Sequence, residues 1–219
     1  VIVNGSEERE GALSVIGAVS PPGGDISEPV TQNTLRIVKI FWKLDYDLSY
    51  QRHFPAINWI DSYSLYQAKI DKYLDENVDK NFSKLRKRAM ALLQEETSLL
   101  EVVRLVGRDT LSDEDQVKLN STKSIREDFL QQNAFHDVDT FCPLEKQFKM
   151  LDTILYFYYK SQESLEKGVY FSEIEELDVK EDIARMKYVP NDELEKIDAI
   201  KEKIDSQLKK LEEVGDVDA

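Results

Sequence analysis

Ser20-Pro21-Pro22-Gly23-Gly24-Asp25-Ile26-Ser27-Glu28-Pro29, with Arg52-His53-Phe54-Pro55-Ala56-Ile57-Asn58-Trp59 further on, are the segments around which the chain can be read. In the first, two prolines fix φ and two glycines accept positive φ, so the chain turns sharply and stiffly. Pro29 suits the first turn of a helix, with Ser27 as its cap. The mostly apolar residues 12–19 read as a short buried strand leading into the turn. Strand, Gly-rich loop and helix in that order is how α/β proteins build ligand edges. The same residues also suit a tight turn with only a structural role.

Outward from this loop, residues 28–44 alternate at helical spacing, with Leu35, Val38, Phe41 and Trp42 on one side. Residues 45–51 form a polar connector, and residues 54–59 are extended because Pro55 disfavours helix at Phe54. Val1-Ile2-Val3 suits a strand that needs neighbours, and the α/β character ends near Tyr63. Everything later reads as helix. Residues 81–106 place Leu85, Ala89, Leu92, Leu93, Leu99, Leu100 and Val103 on one stripe, and Gly107 is the stop. Ser112 and Asp115 make a capping box for a helix reaching about Gln132. Pro143 starts another helix, with Leu144, Phe148, Leu151, Ile154, Leu155 and Tyr158 buried. Ser172 with Glu175, and Asp178 with Glu181, are further capping boxes. From Asn191 a narrow stripe of Leu194, Ile197, Ile200, Ile204, Leu208 and Leu211 marks a helix seeking a partner, in the manner of a coiled-coil seam.

The expected fold is therefore the end of an α/β domain over residues 1–62, a mainly α-helical domain over 63–189, and an amphipathic tail helix over 190–219. It is mostly α overall. The 219 residues are 41% hydrophobic and 33% charged, an ordinary globular profile. A net charge of −14 argues against a nucleic-acid or anionic-membrane surface. No apolar run approaches the roughly 20 residues of a membrane span. Cys142 is the single cysteine and reads as packing; His53 and His136 have no ligand spacing around them, so no metal site or nucleophilic triad is assigned. No GxxxxGK[ST] occurs, and no apolar strand ends in an Asp suited to Mg²⁺, so no catalytic residue is expected in this chain.

GAVSPPGGDISEPV (17–30) and RHFPAINW (52–59) closely resemble the catalytic alpha chain of the archaeal and vacuolar-type rotary ATPases. LLQEETSLLEVVRLVG (92–107), REDFLQQNAF (126–135) and FCPLEKQ (141–147) follow in the family's order. The resemblance runs from about Gly5 to about Val189 and is to the C-terminal part of that alpha chain. It implies an ATP- or ADP-binding protein with Mg²⁺, whose phosphate-holding elements lie upstream of Val1. Phe54 and Phe135 then fall at the positions whose aromatic rings pack on the two sides of adenine, with Gln132 and Asn133 near the base edge. A π-face suits any base.

The resemblance also implies two contact surfaces for the central-stalk rotor subunits. Asp25, Ser27 and Glu28 lie in one loop. Asp109, Asp113, Glu114 and Asp115 lie in a segment that matches the acidic helix–turn–helix of the related F-type beta subunit. It departs from that pattern at Thr110 and Asp113, and keeps its acidity at one end only. The implied assembly is an alternating hexamer with a non-catalytic B subunit, which lends the transition-state arginine. It would sit on the cytoplasmic face of a membrane that it touches only through the proton- or Na⁺-translocating sector. Against this stands a second reading, a non-enzymatic acidic helical interaction module, which the acidic, capped helices and the tail stripe fit without any nucleotide.

Overall fold

The computed structural model describes residues 11–215, with side chains to residue 213. The strand expected at Val1-Ile2-Val3 and all but the start of the acidic end lie outside the described residues. The chain divides into two compact units, Val1–Phe41 and Trp42–Ala219.

In the first unit, residues 11–20 form neither helix nor strand, and Leu13, Val15 and Ile16 are exposed, Leu13 at 90%. This corrects the buried strand expected at 12–19. A strand is stabilised by its ladder and by cross-strand pairs, and among the described residues no strand lies alongside it. The turn that follows is as expected: Pro22–Gly24 make one 3₁₀ turn, with Gly23 at φ 64° and Gly24 at φ 73°. Helix α1, Pro29–Ile37, starts on its proline, but Glu28 caps it, not Ser27. Glu28 Oε2 accepts the Thr31 N–H at 2.9 Å, while Ser27 donates its hydroxyl to Asp25 Oδ1 at 2.6 Å. A carboxylate meets the positive helix end with its charge as well as its lone pairs. Helix α1 also stops well short of residue 44. Val38-Lys39-Ile40-Phe41 mixes β-branched and aromatic residues and becomes extended, with strand β1 at Ile40–Phe41.

The second unit opens with a five-residue helix, α2 (Tyr46–Tyr50), where a polar connector was expected. Asp45 nucleates it by accepting the N–H groups of Asp47 and Leu48 at 2.9 and 3.2 Å. After strand β2 (Tyr63–Ser64) the chain is helical, so the fold class read from the sequence holds. Helices α3 (Gln67–Asn77) and α4 (Phe82–Val106) come first, and α4 stops at Gly107, φ 89°. Helix α5 (Asp113–Ser124) is capped by Ser112, whose hydroxyl oxygen accepts the Asp115 N–H at 3.2 Å. It runs on into a π-helix, Ile125–Leu130.

Helix α6, Leu144–Glu166, buries Leu151, Ile154, Leu155 and Tyr158 as expected. Leu144 is exposed and Phe148 only half-buried, its ring edge-on to Phe82 at 5.7 Å. Two capping boxes need correction. Helix α7, Phe171–Glu175, begins before Ser172 and is boxed by Glu173, which accepts the Tyr170 N–H at 2.9 Å. Asp178 does precede helix α8, Val179–Arg185, but makes no capping bond; Gln207 Oε1 takes the Val179 N–H at 3.1 Å.

The tail stripe finds its partner within the chain. Helix α9, Glu195–Gly215, buries Ile197, Ile200, Ile204 and Leu208 in the same core as α6. The polar contacts give the orientation. Lys149 meets Asp198 at 2.5 Å, Asp152 meets Lys201, Tyr156 Oη donates to Asp205 at 2.7 Å, and Ser164 Oγ donates to Glu212 at 2.8 Å. Partners are 49 residues apart in the first three contacts and 48 in the last, so the two helices run parallel in one register. Ion pairs beside an apolar seam are the arrangement of e and g positions in a parallel coiled coil. Between α8 and α9, a 3₁₀ turn at Met186–Tyr188 is held by the buried Lys146, which donates to the carbonyls of Lys187 and Val189 at 2.8 and 2.6 Å.

Candidate functional site

The loop carrying Phe54 is pinned to the segment before it. His53 N–H donates to the Leu48 carbonyl at 2.8 Å, Asp45 N–H to Ala56 O at 2.9 Å, and Asn58 N–H to Lys43 O at 2.8 Å. Asn58 Nδ2 adds a bond to Asp45 Oδ2 at 2.9 Å, the leading reason that the Asp45 pKa lies below its ordinary value. Leu44 and Ile57 form an antiparallel bridge. The expected extended run at 54–59 is thus a set of turns around one bridge, entered through Arg52 at φ 60° and a cis Phe54–Pro55 bond. His53 points inward against Trp59, ring centroids 5.5 Å apart, and Phe54 is left 50% exposed. Burial, then the charges of Arg126 and Lys187, push the His53 pKa down.

The second loop follows the π-helix. Gln132 N–H donates to the Phe54 carbonyl at 2.8 Å, and Gln131 Nε2 approaches the Arg52 carbonyl at 3.4 Å. The buried Asp139 organises what comes next: its Oδ2 accepts the Asn133 N–H and its carbonyl accepts Gln132 Nε2, both at 2.6 Å. Asn133 Oδ1 in turn accepts the Phe135 N–H at 3.0 Å. His136 Nδ1 accepts the N–H groups of Val138 and Asp139, and its ring lies 4.5 Å from that of Tyr188. Out of this tightly bonded loop Phe135 projects at 98% exposure. The structure therefore joins the segments of Phe54 and Phe135 by backbone contact and presents both rings outward. Among the described residues, no group of three or more His, Cys, Asp or Glu side chains could hold a metal ion. No described helix is long and apolar enough to cross a membrane.

The acidic residues fare differently from one another. In the first unit, Asp25 and Glu28 are turned to local caps, and those bonds hold both carboxyl pKa values below the ordinary range. In the second, Asp113 Oδ2 accepts the Phe171 N–H at 2.9 Å, so it caps α7 as well as opening α5. Asp115 pairs with Ser112 and, at 3.6 Å, with Lys118. Asp109 and Glu114 are exposed. The tip they share is also apolar: Leu105 is 84% exposed, with Val106 and Val102 beside it in the last turns of α4.

Asp139, Glu96 with Arg126, and Lys187 escaped the sequence reading. Charged residues inside polar helices and loops have no periodic signature, and only their partners show what they hold.

Residues 3–64 match the ATP synthase alpha/beta family, nucleotide-binding domain, and residues 71–175 match the C-terminal domain of V and A type ATP synthase. The V-type ATP synthase alpha chain of Clostridium botulinum (strain Okra / Type B1) is 62% identical over 200 residues, 91% of this chain and 34% of its own length. That of Thermoanaerobacter sp. (strain X514) is 57% identical over 219 residues, 100% of this chain and 37% of its own. The chain thus spans about a third of the length of these relatives. A solved structure, the ATP synthase subunit NeqB from Nanoarcheaum equitans, superposes with a TM-score of 0.53 at 25% identity, over 63% of this chain and 32% of that one. The rival reading of an independent interaction module gains nothing from these matches. The chain is a homologue of the V-type ATP synthase alpha chain, carrying part of the family's nucleotide-binding domain and its helical C-terminal domain.

Proposed function

We propose that the whole alpha chain hydrolyses or synthesises ATP in a rotary ATPase, and that the residues described here supply the adenine side of its nucleotide pocket. The observation that carries the reading is the 2.8 Å bond from Gln132 N–H to the Phe54 carbonyl, which ties together two loops that each present an exposed ring. Exposed phenylalanines on stiff backbone are costly to keep in water and suited to stacking on a base. Gln132 and Asn133 hold the Phe135 loop, with contact to the base edge as a second role. Phosphate and Mg²⁺ would be bound by parts of the whole protein that lie outside this sequence, so this chain alone should hold ATP weakly.

In the assembly this reading implies, the alpha chain alternates with non-catalytic B subunits in a hexamer on the cytoplasmic face of the membrane. It meets the central stalk through the Asp25–Glu28 loop and the tip at 105–115. There the exposed apolar end of α4 contributes beside Asp109 and Glu114. Proton or Na⁺ movement takes place in the membrane sector.

The test is made in the assembled complex. Phe54→Ala and Phe135→Ala should each weaken ATP binding by roughly ten- to a hundred-fold, with GTP falling in parallel because stacking is base-tolerant. If both variants keep the wild-type KM, the adenine face lies elsewhere.

A further inference from the structure

The π-helix Ile125–Leu130 stands between the long helix α4 and the two loops just described, and it is anchored at both ends. At its start, Arg126 Nη2 meets Glu96 Oε1 of α4 at 3.0 Å. Glu96 is buried, and Thr122 Oγ1 of α5 lies 2.9 Å from the same oxygen. At its end, Lys187 Nζ donates to the carbonyls of Glu127 and Gln131 at 2.7 and 3.3 Å. The next residue, Gln132, holds Phe54. A continuous set of bonds therefore runs from the middle of α4 to both aromatic loops.

The Glu96–Arg126 pair is poorly explained as a stabilising contact. Glu96 is buried while the Arg126 side chain stays 26% exposed, so it is chiefly the cost of taking the carboxylate from water that offsets their attraction. Arg126 Nε is buried with no hydrogen-bond partner among the described residues, so the guanidinium is not fully satisfied. π-Helical turns are uncommon and are found frequently at functional places. Helix α4 ends at the exposed tip around Gly107, about three turns beyond Glu96, and a stiff helix carries displacement along its length.

We propose that the ion pair between the buried Glu96 and the half-buried Arg126 is the linkage through which movement of α4 reaches the loops that present Phe54 and Phe135. Glu96 and Arg126 are then positioning residues that touch no nucleotide. This inference rests on the reading of those rings as the adenine face.

The test uses the full-length alpha chain in the reconstituted rotary complex and reads ions moved per ATP hydrolysed. The first variant is Glu96→Leu with Arg126→Met, which removes both charges together. Thr122 Oγ1 keeps its alternative acceptor, the Leu119 carbonyl at 3.0 Å, so no buried polar group is stranded. Exchanging such a largely buried pair for apolar residues is commonly neutral for folding, and thermal unfolding of the complex checks this. The ratio of ions to ATP should fall about three- to tenfold with hydrolysis retained. An unchanged ratio in a complex of wild-type stability overturns the proposal. If the double variant does not assemble, Glu96→Gln decides: a ratio about twofold or more below wild type supports the linkage, and a wild-type ratio sinks it. Phe54→Ala in parallel separates the two readings. A normal KM there, beside a lowered ratio in the pair variant, removes the adenine reading and leaves the linkage. A raised KM beside an unchanged ratio does the reverse.

Discussion

The backbone N–H of Gln132 donates to the carbonyl oxygen of Phe54 at 2.8 Å, across a sequence separation that no local rule bridges. Because this bond uses main-chain atoms, substituting either side chain leaves it available. What can loosen it is loss of the loop geometry on the Gln132 side, and that geometry depends on Asp139.

Asp139→Ala removes the carboxylate that accepts the Asn133 N–H at 2.6 Å in a buried place. A stranded donor and a lost charge-assisted bond together cost about 1.5–3 kcal/mol. Asp139→Asn keeps an acceptor oxygen and should recover most of this. Hydrogen exchange across residues 131–141 reports the difference. Equal protection in the alanine variant and the wild type would show that Asp139 does not hold the loop.

Neutralising the acidic tip should do little. Asn at position 113 can still accept the Phe171 N–H, so Asp113→Asn with Glu114→Gln keeps the bond between α5 and α7. An exposed ion pair with a rotor side chain would contribute only about 0–1 kcal/mol and fade with salt. Deleting residues 108–112 removes the Ser112 cap and the Arg108–Glu175 contact at 3.5 Å, and should uncouple rotation from hydrolysis. Ions moved per ATP in the two variants make the comparison. Equal uncoupling in both would mean that the charges themselves are the contact.

His53 should make stability depend on pH. Burial, then the positive charges of Arg126 and Lys187, hold its folded pKa below 6.5, with Glu127 opposing. The unfolded chain then binds the proton more readily. The stabilisation is present above the unfolded value and is lost as pH falls through the folded one. The melting temperature should drop between about pH 7 and about pH 5, and the drop should shrink in His53→Gln. Asp128, raised chiefly by burial, acts in the opposite sense and is common to both proteins. Parallel pH profiles would assign the drop to other groups.

The parallel seam of α6 and α9 should depend on its apolar side. Ile204 is fully buried, and Ile204→Ala should cost about 2–5 kcal/mol through lost burial and the cavity left behind. Lys201→Ala, which removes the partly exposed contact to Asp152, should cost about 0–1 kcal/mol. Denaturant midpoints of the two variants test the order. A larger loss in Lys201→Ala would make the register ionic in origin.

The course of α4 was legible in the sequence because its signals are local. A stripe recurring every three or four residues and a glycine free to take φ 89° need no distant partner to act, although of the expected stripe only Ala89, Leu92 and Leu93 are buried and Leu100 is exposed. The Pro22–Gly24 turn and the Ser112 cap were legible for the same reason. Residues 12–19 show the limit: an apolar run states what it could bury, but a strand exists only when another lies beside it. The stripe of α9 announced that the helix needs a partner, yet parallel pairing with α6 at an offset of 49 residues appears only when both helices are in place. The meeting of the Phe54 and Phe135 loops, the Asp139 acceptor and the pairing of buried Glu96 with Arg126 likewise belong to the tertiary structure alone. Each joins groups distant in the chain or off any periodic face, and hydrogen bonds and charges of that kind are set by where the folded backbone brings them.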